Sequence, residues 1–164
     1  MLIKPIDSQI YISLKKINPS GFLEIILGFF LLLFCIKINQ INLSLNFLTL
    51  SLITISCSVC ILYSLWFFIS TTTIWFVKTW NAIEVLRSFL YIGRFPLNSF
   101  SFSLRIFFSV FIPIAFITTI PSEVFLGLSQ VWKILLEVII ATVFLITSRK
   151  FWLFALRFYS SASS

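Results

Sequence analysis

Forty consecutive residues between Lys37 and Lys78 contain no Asp, Glu, Lys or Arg and are crowded with Ile, Leu, Phe and Val. A folded domain of 164 residues has too little interior to hide such a run. The hydrocarbon core of a bilayer, about 30 Å thick, accepts it. With 60% hydrophobic and only 10% charged residues and a mean hydropathy of +1.10, the whole chain belongs to the membrane class, and soluble-enzyme chemistry is set aside. The predicted fold is all-α: a polytopic helix bundle of about four transmembrane helices with short cytoplasmic amphipathic helices.

The four spans are expected at about residues 22–36, 47–69, 104–120 and 132–147, in a single transmembrane domain. The second lies in an apolar stretch longer than one crossing needs and is therefore tilted or projecting. The third contains Pro113, which removes a helical hydrogen bond and frees the Ser109 carbonyl, so a kink is predicted there. The fourth carries Lys133 and Glu137. Eleven Ile, Leu, Val and Phe side chains between Val131 and Ser148 favour insertion by roughly 5 kcal/mol, against about 3 kcal/mol for each charge at mid-membrane. The i,i+4 spacing is expected to let the two charges neutralise each other near one end.

Orientation follows from Lys and Arg. With both termini on one side, that side holds Lys4, Lys15, Lys16, Lys78, Arg87, Arg94, Arg105, Arg149, Lys150 and Arg157, and the other only Lys37 and Lys133. Cytoplasmic loops collect basic residues, so both ends face the cytoplasm. The same rule accounts for the net charge of +7 without nucleic acid. Lys15 and Lys16 before an apolar run also suit a signal peptide, but no small-residue cleavage pattern follows, and the run reads as an uncleaved span.

Two cytoplasmic segments carry pattern. Asp7 is placed to cap a short helix whose Ile10, Leu14 and Ile17 share a face, ended by Asn18-Pro19-Ser20-Gly21. Over residues 78–92, Asn81, Glu84, Arg87 and Ser88 gather on one helical sector, with Ile83, Val85, Leu86, Phe89 and Leu90 opposite. Such a helix lies at a membrane surface, as an anchor or as a docking surface for a cytoplasmic partner.

Candidate chemistry is sparse. There is no His, the acids number five, and no Ser/His/Asp set or Gly-rich phosphate loop is present, so no catalytic residue, metal site or cofactor is predicted. Cys57-Ser-Val-Cys60 has redox-like spacing, yet both thiols fall inside an apolar run without further ligands. Glu24 and Glu137 are the only acids near membrane depth. They are candidates for contact with a polar substrate group or for structural accommodation. Pro113 is a candidate hinge or simply a source of shape.

Several motifs point to a family. Leu2-Ile3-Lys4-Pro5-Ile6-Asp7 and Arg94-Phe95-Pro96-Leu97 resemble bacterial ABC transporter permeases of the type-2 exporter class, in the uncharacterised or daunorubicin-type subgroup. So do Phe111-Ile112-Pro113-Ile114-Ala115-Phe116-Ile117-Thr118-Thr119-Ile120-Pro121, Phe125-Leu126-Gly127, and the closing run from Phe151 to Ser163. The resemblance implies a non-catalytic membrane subunit of the bacterial inner membrane. That subunit lines the export pathway, forms a homodimer or joins a partner permease chain, and couples to a separate ABC ATPase. It places ATPase docking first on residues 5–16, with Pro5, Asp7, Lys15 and Lys16, and second on residues 78–94, with Glu84 and Arg87. Glu24, Pro113 and Glu137, singled out above by their chemistry, are the pathway candidates. Members of the family usually have six spans, and this chain aligns from just before the third. The alternative expectation is therefore a truncated or degenerate permease fragment, or a small membrane scaffold without transport activity.

Overall fold

In the computed structural model, residues 7–14, 19–38, 40, 44–75, 80–93, 95, 99–110 and 113–158 are described. They form helices and turns, with no strand among the described residues. The chain divides into two compact units, Met1–Leu43 and Ser44–Ser164. In the first, Asp7 caps α1 (Ser8–Leu14): its Oδ1 accepts the Gln9 N–H at 2.9 Å, satisfying a donor the first helical turn leaves open. Helix α2 (Ser20–Ile38) has 19 residues and is apolar on every side between Glu24 and Lys37. A helix hydrophobic all round belongs in lipid or among other helices.

The second unit is organised on α3 (Leu45–Thr72), whose 28 residues extend about 42 Å, more than a bilayer core requires. Ser44 caps it, accepting the Phe47 N–H at 3.2 Å. Its buried positions are Ser51, Thr54, Ser58, Ile61, Ser64, Phe67 and Thr71, spaced three or four apart on one stripe and mostly small. They face α7 (Val131–Leu156), whose buried stripe includes Ile134, Glu137, Ala141, Ser148 and Ala155. In lipid there is no hydrophobic drive between helices, so close backbone approach across small residues holds the pair. Most buried hydroxyls return their proton to their own helix. Thr54 donates to Leu50 O, Ser64 to Cys60 O and Thr71 to Phe67 O, at 2.8–3.1 Å. These three donors are thereby satisfied within α3, whereas the buried Ser51 hydroxyl has no partner among the described residues.

The direction of α7 follows from its partners on α3. Ser58 meets Glu137, Phe67 packs edge-on against Trp152 at 5.3 Å, and Trp75 lies 5.9 Å from Phe158. Residue numbers rise together, so the two helices run parallel, and the chain between them must return along their length. That return begins after α4 (Trp80–Ile92), whose Leu86 is buried while Glu84 and Arg87 form an exposed 3.9 Å ion pair. Arg87 also sits 5.9 Å above the Trp66 ring. The segment then passes Ser58 at Phe116 and ends with Phe125 packed edge-on against Phe47, ring centroids 5.7 Å apart.

This return crossing was expected as one kinked helix over residues 104–120. It is instead assembled from α5 (Phe102–Val110), a π-helical turn (Ala115–Thr119) and α6 (Ile120–Phe125). With nine and six residues, neither helix alone is long enough to span a bilayer. Pro113 is fully buried at the break, and beyond it Ile114 joins Phe108, Phe89, Ile92 and Phe100 in one apolar cluster. Arg149, Lys150 and Arg157 lie at the end of the unit where α3 and α7 finish and α4 packs. Glu123 and Lys133 lie at the end where α7 begins.

Candidate functional site

The composite crossing meets α3 and α7 at a polar junction built on Ser58. Unlike the other hydroxyls of its stripe, Ser58 Oγ lies within reach of two acceptors on other elements. They are the Phe116 carbonyl at 3.1 Å and Glu137 Oε1 at 3.0 Å. The reason lies in the sequence of the π turn. Ile120 donates its N–H to Ala115 O, one residue further back than in an α-helix. The next donor would be residue 121, and Pro121 has none. Phe116 O is therefore left without a helical partner, and an unpaired buried carbonyl costs about 1–3 kcal/mol. Ser58 is the donor within reach of it, its single proton being shared between this carbonyl and Glu137 Oε1.

Glu137 is completely buried between α3 and α7. The sequence suggested an intrahelical pair with Lys133, but that pair does not form. Lys133 Nζ bonds Glu123 Oε2 at 2.7 Å instead, because Glu123 on α6 stands beside the first turn of α7. Glu137 lies one turn deeper, and its carboxyl turns to Ser58. Its second oxygen, Oε2, has no partner among the described residues.

Alongside this junction the composite crossing and α7 enclose a cleft of about 880 Å³. Its walls carry Arg105 and Ser109 of α5, Thr118 and Thr119 of the π turn, and the Glu123–Lys133 pair, between apolar surfaces that include Phe116 and Trp132. Lys133 and Glu123 side chains are about a quarter exposed, so their charges are partly screened and mutually satisfied. The lining of this cleft is mostly apolar, with Arg105, Glu123 and Lys133 as its charged members.

Of the pathway candidates, Glu137 and Pro113 both sit beside this composite crossing. Glu24 is exposed on α2, in the other unit. Of the docking candidates, Glu84 and Arg87 form the exposed polar edge of α4 and Asp7 caps α1, whereas Pro5, Lys15 and Lys16 fall outside the described residues. Sequence reasoning missed Ser58, Arg105 and Glu123. A signal for Ser58 existed: a Ser on a small-residue stripe, with a proline five residues beyond an apolar position elsewhere. Nothing in one sequence joins the two. Among the described residues no group of three or more Cys, Asp or Glu is arranged to hold a metal ion.

Comparison with protein families finds a match over residues 1–163 to the family described as ABC-2 family transporter protein. No curated protein and no solved structure matches the chain.

Proposed function

Since this chain belongs to the ABC-2 transporter family, and is thereby a membrane transport component, we propose that it is the permease subunit of an ATP-driven exporter. In this reading it sits in a bacterial inner membrane with both termini cytoplasmic. It lines part of the pathway through the cleft beside the composite crossing and works as a homodimer or with a partner permease chain. It does not hydrolyse ATP; a separate ABC ATPase does so.

The observation that carries the reading is the broken crossing itself. Two parallel helices, α3 and α7, are held together by small residues. The span between them is interrupted at Pro113 and again at the π turn. Breaks in a span are tolerated only where protein or a water-lined cavity satisfies the freed groups, and they give a span places to bend. Basic residues Arg149, Lys150 and Arg157 at one end of the unit support a cytoplasmic face there. The exposed edge of α4, with Glu84 and Arg87, lies at that end of the second unit and is the second docking segment for the ATPase; residues 5–16 are the first.

The test is co-purification in detergent from cells that carry the cognate ATPase. The permease is expected to bring the ATPase down, and charge reversal at Lys15 and Lys16, or at Glu84 and Arg87, to weaken the association. Recovery of this chain by itself, with no ATPase and no ATP-dependent transport in proteoliposomes, would overturn the reading in favour of a scaffold.

A further inference from the structure

Pro121 removes one backbone donor from the composite crossing in either helical register. In a plain α register, Ile120 N–H would return to Phe116 O, and only Ile117 O, four residues before the proline, would lack a donor. In the observed π register, Ile120 N–H reaches Ala115 O instead, and Phe116 O loses the donor it would have had. The π register therefore adds Phe116 O to the oxygens that must find help from outside. Ser58 stands at Phe116 O, 3.1 Å away, with Glu137 Oε1 on the other side of its hydroxyl at 3.0 Å.

We propose that Ser58, held in place by Glu137, selects the π register of residues 115–119 and so sets which face of α6 meets α7 and the cleft. The two are positioning residues: they act on the pathway wall through the helix register.

The consequence is specific. Relative to the π form, the α form has one residue fewer wound into the turn, so each site beyond it receives the preceding residue, after a rotation of about 100° and a shift of ~1.5 Å. The N-terminal side cannot take up that change. Pro113 and Ile114 are fully buried, and Ile114 Cγ2 packs onto Gly93 so closely that a Cβ there would lie 2.6 Å away. The C-terminal side can. Helix α6 is six residues long and runs into the exposed Leu126 and Leu128, with Gly127 at a φ of +69° between them. A register change therefore turns α6: Thr119 takes the site Ile120 now fills against Ile134, and Glu123 moves away from Lys133. In this way the buried Ser58–Glu137 pair governs whether the ion pair at the mouth of the cleft is closed.

Disulfide mapping in the full chain tests this, with Cys35, Cys57 and Cys60 replaced. I120C/I134C is expected to cross-link in membranes and T119C/I134C not to. In a Ser58→Ala background the preference should invert towards position 119, while Ser58→Thr, which keeps the hydroxyl, and Glu137→Gln, which keeps a hydrogen-bonding head, should restore position 120. If Ser58→Ala alone fails to insert, Ser58→Ala with Pro121→Ala gives every carbonyl a backbone donor in the α register, and it should also cross-link through 119. Persistence of the 120 pair in both backgrounds overturns the proposal. The consequence for export rests on the permease reading: Ser58→Ala should lose transport while retaining the ATPase. A shifted cross-link in a chain that captures no ATPase would sink that reading and leave the register assignment standing.

Discussion

Gly93 has no room for a side chain. A Cβ there would meet Ile114 Cγ2 at 2.6 Å and Leu90 O at 3.1 Å. The γ-methyl belongs to a β-branched residue that is fully buried, so it cannot swing aside. Gly93→Ala is expected to destabilise the fold by about 1–3 kcal/mol, read as a lower thermal midpoint in detergent. Adding Ile114→Ala should cost less than the sum of the two single changes, because it removes the clashing methyl. An undiminished midpoint for Gly93→Ala would show that the junction of α4 with the composite crossing is loose. At this scale the chain is partly legible by itself. Asp7 capping α1 and Glu84 beside Arg87 are local relations, set by one turn of helix. Glu137 is the counter-case: its i,i+4 neighbour Lys133 was available, and a residue ten positions before Lys133, Glu123, took that partner. Local spacing lists possible partners; only the packing of α6 beside α7 chose among them.

Between elements, the decisive contact is that of α3 with α7. Ser64 is completely buried on α3. Ser56, on the same helix, is exposed and bonds only to Leu52 O. Ser64→Leu is expected to wedge the two helices apart at a cost of ~1–3 kcal/mol, whereas Ser56→Leu, facing lipid, should leave the melting midpoint unchanged. Equal effects from both would show that the stripe does not pack as described. The Glu123–Lys133 pair is the second inter-element contact. It is partly exposed, so a coupling of no more than about 1 kcal/mol is expected in a double-mutant cycle. Charge exchange in E123K/K133E should recover most of what either reversal loses. The stripe of Ser51, Thr54, Ser58, Ser64 and Thr71 was readable as a run of small residues at helical spacing. Its partner was not, because several helices of one chain present small residues and periodicity does not say which two meet.

At the largest scale, the parallel course of α3 and α7 makes the chain between them return along their length, so under the proposed topology the two ends of this helix pair face opposite sides of the bilayer. In a cysteine-free background, Leu128→Cys is expected to react with an impermeant maleimide applied outside intact cells. Ser88→Cys should react only after permeabilisation. Labelling of both from one side would remove the composite crossing and with it the pathway reading. The basic residues at the end where α3 and α7 finish are what set the expected sign of that experiment.

The amino-acid sequence by itself determined that this chain lives in lipid as a helical bundle, because insertion depends on the summed transfer energies of consecutive side chains and needs no knowledge of their neighbours. Its amphipathic α4 and capped α1 were equally local. The tertiary structure alone decided that the helix expected over 104–120 is broken into α5, a π turn and α6. It also decided that Ser58 completes Phe116, 58 residues away along the chain. Those features come from satisfying an oxygen orphaned by Pro121, and the donor that satisfies it is brought close only when separate helices pack.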